Sequence, residues 1–299
     1  MTRVRTVGVG VIVVVASTAL AWALAFPQNS LSAVLVRGVA DCAAVVTCGL
    51  TVVPFLDDPR YRRELAAHAT GPLIIGSSVW LVAELARLLL SAAEAAGASA
   101  TGVGARTAME FALDTTGGQS GLVCVTTSAV CSLAAIWPPS SVARIVAAGA
   151  AAVGIAGRTL VGHVSASQLG GVAIALHALA AALWCGSLAA LVLTVEHRGR
   201  WARVLPRFSR MSLPCVVALV LCGLAGAAVT LQSPVELLNT GYGRVLTAKI
   251  LLTAALTIFA WRNRSWWLPA ARTHRVTAQV SLLRSRLELA GMTVALTLA

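Results

Sequence analysis

The chain has 299 residues, of which 58% are hydrophobic and only 11% charged, with a mean hydropathy of +0.84. Soluble globular domains carry about 25% charged residues, so a water-soluble enzyme or binding module is excluded and an integral membrane protein is indicated. The net charge of +12 does not argue for nucleic acid, because basic residues in multi-pass membrane proteins gather in cytoplasmic loops and set orientation.

Apolar runs of about 20 residues, the length that spans a hydrocarbon core as helix, recur from end to end, and no alternating strand pattern of a barrel is present. The expected fold class is therefore all-α, a polytopic transmembrane helical bundle. Spans are expected near 7–26, 32–54, 70–92, 118–136, 143–163, 171–195, 210–231 and 243–262. A ninth begins near 287 and is too short to cross, as in a chain cut from a longer one or stopping early. The first span follows MTRVRT and ends AWALAFP; it reads as a retained anchor, with a cleaved signal peptide as the alternative. Seven cysteines, six of them (Cys42, Cys48, Cys124, Cys185, Cys215 and Cys222) inside apolar runs, imply small buried hydrophobes and not a disulfide framework.

With the N-terminus cytoplasmic, most basic residues fall in inner loops: Arg60, Arg62 and Arg63, the cluster Arg198 to Arg210, and the arginines from Arg262 to Arg286. The Gly-rich segment Ala93 to Gly117, VSASQLGG and QSPVELLNTGYG are then outer loops, with Arg106 their one clear basic residue.

What remains in the membrane is informative. Arg37, Asp41, Glu84, Arg87, Arg158, Arg244, Lys249 and His177 lie within spans and His163 ends one, all in the outer half of their helices. Intramembrane charges usually face a bundle interior or a wet cavity, so these residues suggest a shared polar vestibule open to the outside. Local pairing is the plainer alternative: Arg37 with Asp41 at i,i+4, Glu84 with Arg87 at i,i+3. Lys249 could snorkel. His177 sits about 9 Å into its helix, too deep for a short ring to reach the surface, and a hydrogen bond to a neighbouring carbonyl would be its structural role. The short turn after His163 makes its helix and that of His177 antiparallel neighbours, so the two rings could meet near the outer face. Neutral imidazole ligates copper, zinc and haem iron. Cys42, Cys185 and Met109 are possible soft additions, but four methionines in all do not make a Met-lined copper path. No HExxH, GxSxG, P-loop or Rossmann fingerprint is present, so no enzyme activity is expected.

Several of these residues fall in motifs: Gly162-His163; His177, Trp184, Gly186 and Leu188 in H-x6-W-x-G-x-L; RFSR at Arg207 to Arg210; YGRVLTAK with Tyr242, Arg244 and Lys249; and WRNR from Trp261. In these the chain resembles the copper-resistance D (CopD) domain of bacterial inner-membrane proteins, over roughly 155–299. The N-terminal region, 1–154, is similar more loosely, through VRG at Val36 to Gly38. The resemblance implies a multi-pass protein of the bacterial plasma membrane that moves copper, working with a periplasmic copper-binding protein of the CopC type. It also implies a possible fusion to a domain similar to a cytochrome oxidase assembly factor. It marks His163, His177, Trp184, Tyr242, Arg244 and Lys249. The reading that follows has copper enter the outer vestibule and meet the two histidines, with Asp41 or Cys42 assisting as metal ligands and Trp184, one heptad beyond His177 on nearly the same face, as lid or floor. Two rivals stand beside this reading: a haem-binding, cytochrome b-like redox protein, which the cationic vestibule suits, and a structural or assembly subunit.

Overall fold

The computed structural model describes residues 2–25, 30–137, 140–159, 168–230, 241–267, 269 and 277–297. The described chain is all-helical, with ten α-helices and no strand. These are α1 (Thr2–Ala25), α2 (Leu31–Val52), α3 (Arg62–Ala95), α4 (Ala105–Asp114), α5 (Thr116–Ile136), α6 (Ser141–Thr159), α7 (Gln168–Thr194), α8 (Arg198–Thr230), α9 (Gly241–Arg262) and α10 (Ala278–Thr297). A 3-10 turn, Val53–Leu56, closes α2, and a π-helical turn, Asn263–Trp267, closes α9. Among the described residues six helices are long and apolar enough to cross a membrane: α2 with its 3-10 turn, α3, α5, α6, α7 and α8.

The apolar runs become helices because only a helix satisfies its own backbone where no water reaches. Side chains fix some of the ends. The Ser30 hydroxyl accepts from the Ala33 N–H at 3.3 Å to start α2, and the Thr115 hydroxyl accepts from Gly118 N–H at 2.9 Å to start α5. Helix α3 has 34 residues, about 51 Å at 1.5 Å per residue, so it outruns a hydrocarbon core of about 30 Å.

Three elements differ from the sequence expectation. The Gly-rich outer segment contains α4, a short amphipathic helix packed on α3 and α5. The arginine cluster from Arg198 is the first three turns of α8 and not a loop, even with Pro206 in its path. The last helix begins at Ala278, well before Leu287, so α10 includes Arg284 and Arg286.

Helices α2 and α7 form the centre. They pack on each other, on α6 and on α10, with α3 flanking α2, α8 flanking α7, and α5 outside them against α3 and α6. Their crossing is set by Gly49 and Gly186: a Cβ on Gly49 would run into the Gly186 carbonyl carbon, and one on Gly186 into the Val45 oxygen. The glycine of the H-x6-W-x-G-x-L motif is thus a contact point for two backbones, the close approach that small residues permit in membranes. Leu188 of the same motif is fully buried and Trp184 is 3% exposed.

Candidate functional site

Five of the intramembrane charges meet at one place. Asp41 of α2 forms ion pairs with three guanidiniums, Arg37 at 3.7 Å, Arg87 of α3 at 3.6 Å and Arg158 of α6 at 3.8 Å. Arg158 also pairs with Glu84 of α3, whose other oxygen takes the Trp80 indole N–H at 3.0 Å. Glu84 is 1% exposed, a carboxylate in the protein interior whose cost is offset by one guanidinium and one indole donor. The local pair Arg37–Asp41 exists, but Glu84 and Arg87 turn away from each other, each to a different helix. The early turns of α2 and the last turns of α3 and α6 are therefore tied together by an ionic network at one end of the bundle.

His177 stands on α7 beside this end. Its Nδ1 lies 3.2 Å from the Leu219 carbonyl of α8, and Gly223 one turn on flanks the ring. A carbonyl can only accept, so Nδ1 carries the proton and Nε2 keeps a free lone pair. A backbone carbonyl on one ring nitrogen is the arrangement that orients a metal-binding histidine and raises the basicity of the other nitrogen. Lys249, half-buried on α9, lies within electrostatic reach of both His177 and Arg37.

The other expected site residues are distributed as follows. Cys42 follows Asp41 on α2 and is half-buried, and its thiol is within electrostatic reach of the buried Cys185 on α7. Trp184 lies in the core two turns beyond His177, its indole N–H without a hydrogen-bond partner among the described residues. Met109 is exposed on α4. Tyr242 and Arg244 lie in the first turn of α9. His163 is outside the described residues. Among the described residues no group of three His, Cys, Asp or Glu side chains could hold a metal ion.

The opposite end carries polar groups that sequence reasoning missed. Arg203 of α8 forks onto Asp57, both oxygens engaged at 3.0 and 3.3 Å, and its guanidinium lies 4.1 Å over the Tyr61 ring. Arg207 pairs with Asp58 at 3.4 Å and Arg200 with Glu64. The backbone N–H of Arg60, with Arg207 adding to it, holds the Asp58 carboxyl below its ordinary range. The signal was available: Arg200, Arg203 and Arg207 are spaced along one helical face, opposite the acids of DDPRYRRE. Farther along, Asn263 donates to the buried Glu288 of α10 at 2.8 Å, and the Trp267 indole N–H donates to Ser281 at 3.1 Å.

Comparison with protein families divides the chain in two. Residues 28–172 match the copper resistance protein D-like N-terminal domain, and residues 202–299 match copper resistance protein D. The chain belongs to the copper-resistance D family. Within this family frame, the first match takes in the whole ionic network of α2, α3 and α6 together with His163. The second takes in Arg203 and Arg207 of α8, Lys249 of α9 and all of α10. His177 and Trp184 stand between the two matches, on the helix that joins them. No curated protein and no solved structure matches the chain.

Proposed function

We propose that this membrane copper-resistance protein carries copper across the bacterial plasma membrane, taking it up at the end of the bundle that holds His177. The observation that supports this most is the ring geometry of His177. Its Nδ1–H is committed to the Leu219 carbonyl, its Nε2 is left as a ligand, and it lies where α7 and α8 meet. His163, five positions before Gln168 in the sequence, is the natural second ligand, with the Cys42 thiol completing a site as copper arrives. With the N-terminus in the cytoplasm, as the distribution of basic residues suggests, the His177 end faces outward, toward a periplasmic copper donor of the CopC type. The protein acts as a carrier and not as an enzyme.

The ionic network has a different part in this reading. Asp41 and Glu84 are engaged by three guanidiniums, so they do not draw cations in. They hold α2, α3 and α6 in register beside the route and set its charge. Copper passing this end has to be received by neutral donors, imidazole and thiol, which is the chemistry that suits Cu(I) and Cu(II) in a cationic surround.

The test is copper accumulation by cells expressing His177→Ala, with the protein quantified in the membrane. Loss of copper-dependent accumulation at unchanged protein level is expected. Undiminished accumulation would remove His177 from the route and leave it as a residue that joins α7 to α8.

A further inference from the structure

At the far end of α9 the helix widens into the π-helical turn Asn263–Trp267, and a cleft of ≈ 330 Å³ opens between this turn and α10. Its walls are Phe259, Arg262, Asn263, Trp266, Arg284 and Leu287. Extra residues in a π turn push side chains out of helical register, which is why such turns accompany binding sites.

Two features of the cleft stand out against the rest of the molecule. The first is charge. At the same end, Arg200, Arg203 and Arg207 each have a carboxylate, and Arg264 donates to the Ser209 carbonyl at 2.7 Å. Arg262 and Arg284 have no carboxylate partner among the described residues, although both face the same small space. Glu288 of α10 is 4% exposed, does not line the cleft, and already accepts from Asn263, which does. The second feature is the surround: Trp266 is 78% exposed and Leu287 58% exposed, in a chain with six described helices long and apolar enough to cross a membrane. A tryptophan beside arginine at the end of an apolar helix is the composition of the membrane interface.

We infer that this cleft binds the headgroup of an anionic phospholipid, with Arg262 and Arg284 clamping the phosphate, Trp266 lying along the glycerol region and Leu287 meeting the acyl chains. Basic pockets between helices at the membrane surface bind anionic headgroups in this way. A guanidinium pair matches phosphate by its planar, multidentate donors. The apolar walls select a lipid over a free anion. The site lies at the opposite end from His177 and is independent of the copper reading.

The test is native mass spectrometry of the full-length protein exchanged into micelles doped with phosphatidylglycerol or with phosphatidylcholine. Wild-type protein should retain phosphatidylglycerol adducts in preference to phosphatidylcholine. The Arg262→Gln, Arg284→Gln double variant should bind phosphatidylglycerol about thirtyfold more weakly, each lost charge counting for about fivefold near an anionic surface. Arg106→Gln, a change at an exposed arginine on α4, should keep the preference, and Arg262→Lys with Arg284→Lys should retain most of it even if the glutamine variant fails to fold. Equal retention of the two lipids by wild type, or unchanged preference in a folded double variant, overturns the assignment. So does displacement of the lipid by millimolar inorganic phosphate, which would make the cleft a site for soluble anions.

Discussion

The two ends of the bundle are both laced with arginine and carboxylate, yet they solve different problems. At the His177 end, two acids face three guanidiniums between membrane-spanning helices, and Glu84 is 1% exposed. At the α8 end, three acids face three guanidiniums, and Arg203, Arg207, Asp58 and Glu64 remain in part open to solvent. The first network lies between membrane-spanning helices and has at its heart the buried Glu84, which depends on its partners. The second clips the start of α8 to the loop between α2 and α3 and to the first turn of α3, with Asp57 and Arg200 buried and the other four groups partly open to solvent. What differs is the dielectric, and with it the penalty for losing a partner.

Arg158→Ala should break the comparison most visibly. It strands Glu84 and removes one of three cations from Asp41, so a loss of about 3–5 kcal/mol is expected in unfolding of the detergent-solubilised protein. Adding Glu84→Gln to that variant should recover much of the loss, since no unpaired buried charge is left. A small effect of Arg158→Ala would show that water reaches Glu84. Gly186→Ala comes next: its methyl group collides with the Val45 carbonyl, and overpacking at a backbone contact should cost about 3 kcal/mol and separate α2 from α7.

Asp57→Ala should cost less, about 1.5–3 kcal/mol, the worth of hydrogen bonds to a charged group, because the freed Arg203 can turn to water. Raising salt should weaken the Arg207–Asp58 tie and leave the Arg158–Glu84 pair almost unchanged, which separates the two ends without any substitution. The smallest effect is in acid. The folded-state value of Asp58 lies below its ordinary 3.8, so its contribution is complete above that pH and fades as pH falls through the lower folded value. Acid titration of Asp58→Asn against wild type should show a shallower loss below about pH 4 and no difference at neutral pH.

Much of this was legible in the sequence. Apolar run length located the spans of α2, α5, α6 and α7 to within a few residues, because bilayer thickness imposes that length on the chain. The polar residues of the vestibule end could be picked out one by one, since each is expensive where it stands. Their partners could not. Glu84 and Arg158 are 74 positions apart, and which acid meets which guanidinium depends on the packing of α3 against α6. The i,i+3 spacing of Glu84 and Arg87 pointed to the wrong pair for that reason. Helix α4 was hidden by the glycines around it, and the helical arginines of α8 by their resemblance to an orienting loop charge. Asp57 and Asp58 find their partners on α8, about 146 to 149 positions away, a pairing that local spacing does not show.

The measurement that bears most directly on the copper reading is metal content: copper and iron per polypeptide in protein purified from copper-supplemented cells, wild type beside His163→Ala, His177→Ala. The account predicts near-stoichiometric copper in the wild type and its loss in the double variant. Iron in place of copper, or copper retained without the two histidines, would contradict it.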